Sequence, residues 1–138
     1  ICEVKPSVLQ TEVHPYSQEN ELKKFLAGEG IVIQPGTSWP WGSGAASGAG
    51  LAELGRKYQK SSAQIILRWH IQAGNIVIPG SKNPAHIKDN FDLFDFSLTE
   101  EEMEKIAALD KNTRYYTSTP RDAGDVQPKT VPDVDGQK

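Results

Sequence analysis

The sequence predicts an α/β fold built on a parallel sheet, and only part of such a fold. Three observations lead there. The β-branched apolar runs Ile31-Val32-Ile33 and Ile76-Val77-Ile78 read as strands buried on both faces. Stretches with helical spacing lie between the strands, which is the pattern of βαβ units. Finally, only three strands are predicted, whereas a buried parallel strand needs neighbours on both sides and cover on both faces. The reading is of a piece of a larger α/β domain.

The elements follow in order. Val8–Val13 alternates, with Gln10 and Glu12 on one face and Leu9, Thr11 and Val13 on the other. His14-Pro15 ends this strand. Gln18–Ala27 carries Leu22, Phe25 and Leu26 at helical spacing, and Gly28 and Gly30 close the helix. After the strand at Ile31–Ile33, Pro35–Gly50 is rich in Gly, Ser and Ala and has no periodicity, so it reads as an irregular loop. Leu51–Tyr58 is helical. Ser61-x-x-Gln64 has the form of a capping box and opens a helix that Gly74 ends; Thr99-x-x-Glu102 opens another through Met103, Ile106 and Leu109. From Thr117 to Lys138 the chain is polar, rich in Pro and Asp, and reads as a disordered tail.

Composition narrows the class. The 138 residues are 37% hydrophobic and 24% charged, ordinary for a globular domain with a core. A net charge of −3 gives no reason to expect nucleic acid or an anionic membrane as partner. The lone Cys2 makes no internal disulfide, which fits a reducing, cytoplasmic setting. No apolar run is long enough to span a bilayer and no signal peptide is visible. The first residue is Ile, so the chain is expected to begin inside a longer reading frame or after processing.

The chemistry concentrates in Ile76–Asn90. A strand stops at Pro79-Gly80, a polar loop of Ser81, Lys82 and Asn83 follows, and Asn83 reads as an N-cap with Pro84 as the first helical residue. Free N–H groups and the positive end of a helix dipole suit a phosphate, with Lys82, Ser81 and His86 as added donors. An ordinary strand-to-helix turn is the equal alternative.

Taken together, Lys5-Pro6, Gln10-Thr11-Glu12-Val13-His14-Pro15-Tyr16, Gly30-Ile31, Lys60-Ser61-Ser62-Ala63-Gln64, Leu67-Arg68-Trp69, Val77-Ile78-Pro79, Ile87, Asn90 and Phe94-Asp95-Phe96 resemble the aldo-keto reductases, in their order and nearly at their spacing. The likeness runs over residues 1–116 and is nearest to the bacterial diketo-gluconate and small-aldehyde reductases. It implies the C-terminal portion of a (β/α)8 TIM barrel: strands 6 to 8 with their helices plus an extra C-terminal helix, incomplete as given. It also implies NADPH as cofactor, with NADH the alternative, and small aldehydes or ketones as substrates.

By the same resemblance, Gln10 matches the glutamine that binds the nicotinamide carboxamide; the alternative is a polar residue filling the barrel. Ser81, Lys82 and Asn83 match the loop at the adenosine 2′-phosphate and ribose. Asp89 and Asn90 match the residues at the adenine, although Asn90 also reads as a helix C-terminal residue without a ligand. His14-Pro15 matches a structural landmark. Gly80 stands where the family has a lysine, and His86 where it has an arginine; Arg grips phosphate bidentately, whereas His is mostly neutral at pH 7. The family's catalytic Asp, Tyr, Lys and His fall on earlier strands, before Ile1. The chain alone is therefore expected to be inactive, and to need an N-terminal barrel segment as partner; a decayed, non-catalytic fragment is the alternative. Back-translation read one or two bases out of register restores family-like sequence over residues 35–50 and 121–129, so a shifted reading frame is expected there.

Overall fold

A computed structural model of the chain describes residues 4–36 and 49–114. The irregular loop expected at 35–50 is shorter in the structure, since Pro35 ends a strand and Ala49 and Gly50 open a helix; residues 37–48 of that loop, the tail at 117–138 and the shifted-frame stretch at 121–129 lie outside the described residues.

The described chain opens with one βαβ unit. Strand β1 (Val8–Thr11) pairs in parallel with β2 (Val32–Pro35), and helix α1 (Asn20–Glu29) crosses between them. The register sets Val8 beside Val32 and Leu9 beside Ile33. Leu9 and Ile33 face the helices, and Ile33 is buried in the core. Leu22 and Leu26 turn the apolar stripe of α1 onto the same core. Gly30 ends α1 with φ +72°, a left-handed conformation that a side chain would strain. Its N–H donates to the Ala27 carbonyl at 3.2 Å.

Four more helices follow: α2 (Ala49–Tyr58), α3 (Ser62–Gln72), α4 (Pro84–Phe91) and α5 (Glu100–Ala107). Both predicted capping boxes form, at Ser61/Gln64 for α3 and at Thr99/Glu102 for α5. The turn from α2 to α3 depends on Gly55, where a Cβ would lie 2.7 Å from the Lys60 carbonyl oxygen. Leu51, Leu54, Ile65, Ile66, Trp69 and Ile106 fill the space between α2, α3 and α5.

A buried carboxylate ties α2 to α5. Glu102 accepts from Lys57 Nζ (2.6 Å), the Tyr58 hydroxyl (2.6 Å) and the Thr99 N–H (2.8 Å). Burial pushes its carboxyl up, but those donors outweigh burial and hold it at about 2. Gln18 ties the end of β1 to α5 in a similar way, its Nε2 donating to the carbonyls of Pro15 and Ile106, both at 2.8 Å.

The third predicted strand is a correction. Ile76–Ile78 does not form a strand, and Ile76 and Ile78 are exposed rather than buried. A single rung joins this segment to β2, from the Ile76 N–H to the Ile33 carbonyl at 2.9 Å. In a parallel ladder the next rung runs from the N–H of residue 35 to the Ile76 carbonyl. Residue 35 is Pro and has no N–H. The ladder stops for want of a donor: Pro35, expected from the sequence to open the irregular loop, is the last residue of β2.

Candidate functional site

The segment after Ile78 does what its sequence predicts locally. Asn83 is extended (φ −88°, ψ 119°), its side chain accepts from the Ala85 N–H at 3.0 Å, and Pro84 takes the first helical position. The Asn83 N–H in turn donates to Ser81 Oγ at 3.1 Å, which leaves the Ser81 hydroxyl proton available. Pro84 has no N–H and that of Ala85 is capped. The His86 N–H therefore remains as the first-turn donor without a partner among the described residues.

A cavity of about 340 Å³ lies against this helix start. Ser81, His86, Asp89 and Asn90 line it, together with Pro79, Gly80, Ser61, Ala63 and Gln64. Four of the residues singled out from the sequence are thus brought together. Lys82 and Asn83 are exposed and do not line it. Gln10 does not line it either: it sits in β1 in register with Gln34, exposed on the face opposite the helices.

The far wall was missed by the sequence reading. Ser61, Ala63 and Gln64 belong to the start of α3, about twenty positions upstream of the loop they face. Gln64 ties the two helices together, beside Lys60 and Arg68, which bond Asp92 and Leu93 at the end of α4. Its Oε1 accepts from the Ser61 N–H at 2.9 Å, and its Nε2 donates to the carbonyls of Asp89 (3.2 Å) and Asp92 (3.0 Å). Both amide protons of this buried side chain are used. The signal that would have found it is the capping box, whose glutamine has a free NH2 end to spend on a neighbour.

Chemically, the cavity offers hydroxyl, imidazole and amide donors at a helix N-terminus, a carboxylate that accepts from an amino group, and an apolar patch at Ala63 and Pro79. A side chain at Gly80 would meet nothing within 4 Å, so no steric demand keeps glycine there. His14 is not part of this site. Its Nδ1 accepts from the Tyr16 N–H (3.2 Å) and its Nε2 lies 3.0 Å from Glu12 Oε1, which fits a structural role. Among the described residues, no cluster of three or more metal-ligating side chains occurs and no helix is long and apolar enough to cross a membrane.

The profile described as "Aldo/keto reductase family" matches residues 39–111, more than half of the chain. The chain belongs to the aldo/keto reductase family. Aldo-keto reductase family 1 member A1 of Xenopus tropicalis is 43% identical over 141 residues, covering 90% of this chain and 43% of that protein. The crystal structure of an aldo/keto reductase from Brucella melitensis superposes with a TM-score of 0.70 at 44% identity, over 78% of this chain and 40% of the other. The Bombyx mori aldo-keto reductase in complex with NADP does so with a TM-score of 0.73 at 34% identity, over 82% of this chain and 40% of the other. The chain thus spans about two fifths of the length of these relatives. Membership implies a (β/α)8 barrel as the parent architecture, of which the βαβ unit and its helices are a partial α/β piece.

Proposed function

We propose that this chain supplies the cofactor-binding part of an NADPH-dependent oxidoreductase that reduces small aldehydes or ketones, as strands 6 to 8 of a barrel completed by an N-terminal segment. The supporting observation is the cavity at the start of α4, which gathers Ser81, His86, Asp89 and Asn90. In this reading Ser81, the His86 N–H and the exposed Lys82 hold the adenosine phosphates. Asn83 shapes the loop and caps the helix. Asp89 accepts from the adenine amino group, Asn90 bonds the ring edge, and Ala63 and Pro79 supply the apolar wall against which a purine lies. Gln10, on β1, is assigned to the nicotinamide carboxamide.

NADPH supplies the hydride when bound. The work of this chain's residues is to bind and orient it. Protonation of a carbonyl oxygen needs a general acid at hydrogen-bond reach, and none is assigned here. The 138-residue chain by itself is therefore expected to show no carbonyl-dependent NADPH oxidation above buffer.

The test is titration of the chain with 2′,5′-ADP and with 5′-ADP, followed through backbone amide resonances. Saturable shifts at Ser81, His86 and Asn90, larger with the 2′-phosphate, are expected. Unmoved resonances at millimolar nucleotide would overturn the assignment, and equal affinities would turn it toward NADH. His86→Arg with Gly80→Lys restores the bidentate and point-charge contacts and is expected to raise 2′,5′-ADP affinity about tenfold, or ~1.4 kcal/mol.

A further inference from the structure

A second cavity, of about 270 Å³, lies between α3, the end of β2 and residues 76–80. Its wall is largely apolar, with Val13, Ile66, Leu67, Val77 and Ile78. Among the described residues it shares only Pro79 and Gly80 with the cavity at α4. Among the described residues, one buried ionisable side chain belongs to that wall: His70, 5% exposed.

The hydrogen bonding fixes what His70 presents. Asn75 Nδ2 lies 3.1 Å from His70 Nδ1. An amide NH2 only donates, so Nδ1 accepts. Burial first, and then the charges of Lys23 and His14, push the imidazole down to about 3, so the ring is neutral at pH 7. Its proton then sits on Nε2. That N–H has no partner among the described residues. It is not one of the fully buried partnerless atoms, so it borders accessible space and stands as a side-chain N–H donor in an otherwise largely apolar wall, open to a ligand's acceptor. A cavity of about 150 Å³ already admits benzene, so this one has room for a six-membered ring with a substituent.

We propose that this cavity is a second ligand site, separate from the cofactor cavity, taking a small and largely apolar molecule whose single hydrogen-bond acceptor meets His70 Nε2–H. The site binds; no reaction is assigned to it. It does not depend on the reading of the α4 cavity.

The experiment compares cyclohexanone with methylenecyclohexane, nearly the same shape without the oxygen, on the full 138-residue chain labelled with ¹⁵N. Long-range ¹H–¹⁵N correlation reports the His70 ring nitrogens. The free chain is expected to show the neutral Nε2–H form at pH 7. Cyclohexanone is expected to shift Nε2 saturably and to bind at least fivefold more tightly than the hydrocarbon. Val77→Phe, which fills the cavity from a half-buried position, is expected to abolish the shift. An Nδ1–H pattern, equal binding of the two probes, or no saturation up to the solubility limit would overturn the proposal. If Val77→Phe does not fold, the two-probe comparison on the unaltered chain decides alone.

Discussion

Leu51, Ile65, Ile66 and Ile106, on α2, α3 and α5, are at most 2% exposed, while Val8 and Val32, partners across the ladder, and Ile76 and Ile78 keep between 38% and 45% of their surface. The residue types are alike, so the difference lies in the neighbours available. The helices find one another within this chain. The sheet face away from them does not find a covering layer among the described residues, and a parallel sheet normally has both faces covered. In the proposed barrel that face is the interior, and the segment that closes the ring would cover it. The helical side should therefore carry most of the stability of this chain, and the sheet face little of it.

Paired truncations break or sharpen this contrast most directly. Ile65→Ala removes a fully buried side chain and is expected to cost about 2–5 kcal/mol, whereas Val32→Ala on the open face is expected to stay within about 0.5 kcal/mol. Urea denaturation of the two variants measures both. Comparable losses would mean that the sheet face is covered after all.

Acid should find the helical side first. His70 is held neutral, with its pKa pushed from 6.5 to about 3. The folded chain therefore binds fewer protons than the unfolded chain between those values. Stability is fully present above pH 6.5 and falls toward pH 3, at up to about 1.4 kcal/mol per pH unit for the one group. Glu102, depressed from 4.5 to about 2, adds a loss that begins only below pH 4.5. A His70→Phe variant is expected to flatten the upper part of the stability–pH curve, and Glu102→Gln the lower part. An unfolding midpoint that holds steady from pH 7 to pH 5 would contradict the burial of His70.

Gly55→Ala probes the joint between the two best-packed helices. Its methyl would stand 2.7 Å from a backbone oxygen that cannot swing away, so a loss of about 1–3 kcal/mol is expected in the same denaturation assay. Gly80→Ala, with open space around it, is the control that should change little.

How much of this was legible in the sequence follows the range of each interaction. Caps were readable because Ser61–Gln64 and Thr99–Glu102 are three residues apart, and both boxes form. So were the Asn83 cap and Pro84 start of α4, and four of the residues at its cavity. The second use of the same side chains was not readable. Gln64 reaches Asp92, and Glu102 reaches Lys57 and Tyr58, across 28 to 45 positions. Nothing in a local pattern announces such partners. The far wall of the cavity, Ser61 and Ala63, was missed for the same reason. The third strand failed on a different count: β-branched periodicity reports burial, but a strand also needs a donor opposite each acceptor.

That last point gives the smallest and most specific prediction. Pro35→Val supplies an N–H at the position facing the Ile76 carbonyl while keeping a side chain of similar bulk at this buried site. One new backbone hydrogen bond contributes about 0.5–1.5 kcal/mol. Removing a proline also frees the unfolded chain, which costs about 0.4–1 kcal/mol. The two nearly cancel, so a denaturation midpoint is the wrong measurement. Amide exchange is the right one, because it reads the rung itself. Once residue 35 donates to Ile76, the following rung, from the Ile78 N–H to the carbonyl of residue 35, comes into register. The Ile78 amide is then expected to exchange at least tenfold more slowly than in the parent chain, with Lys82 and Asn83 unchanged. If Ile78 exchanges at the parent rate, the missing donor is not what ends the sheet, and the uncovered face is the better explanation of why Ile76–Ile78 stays outside it.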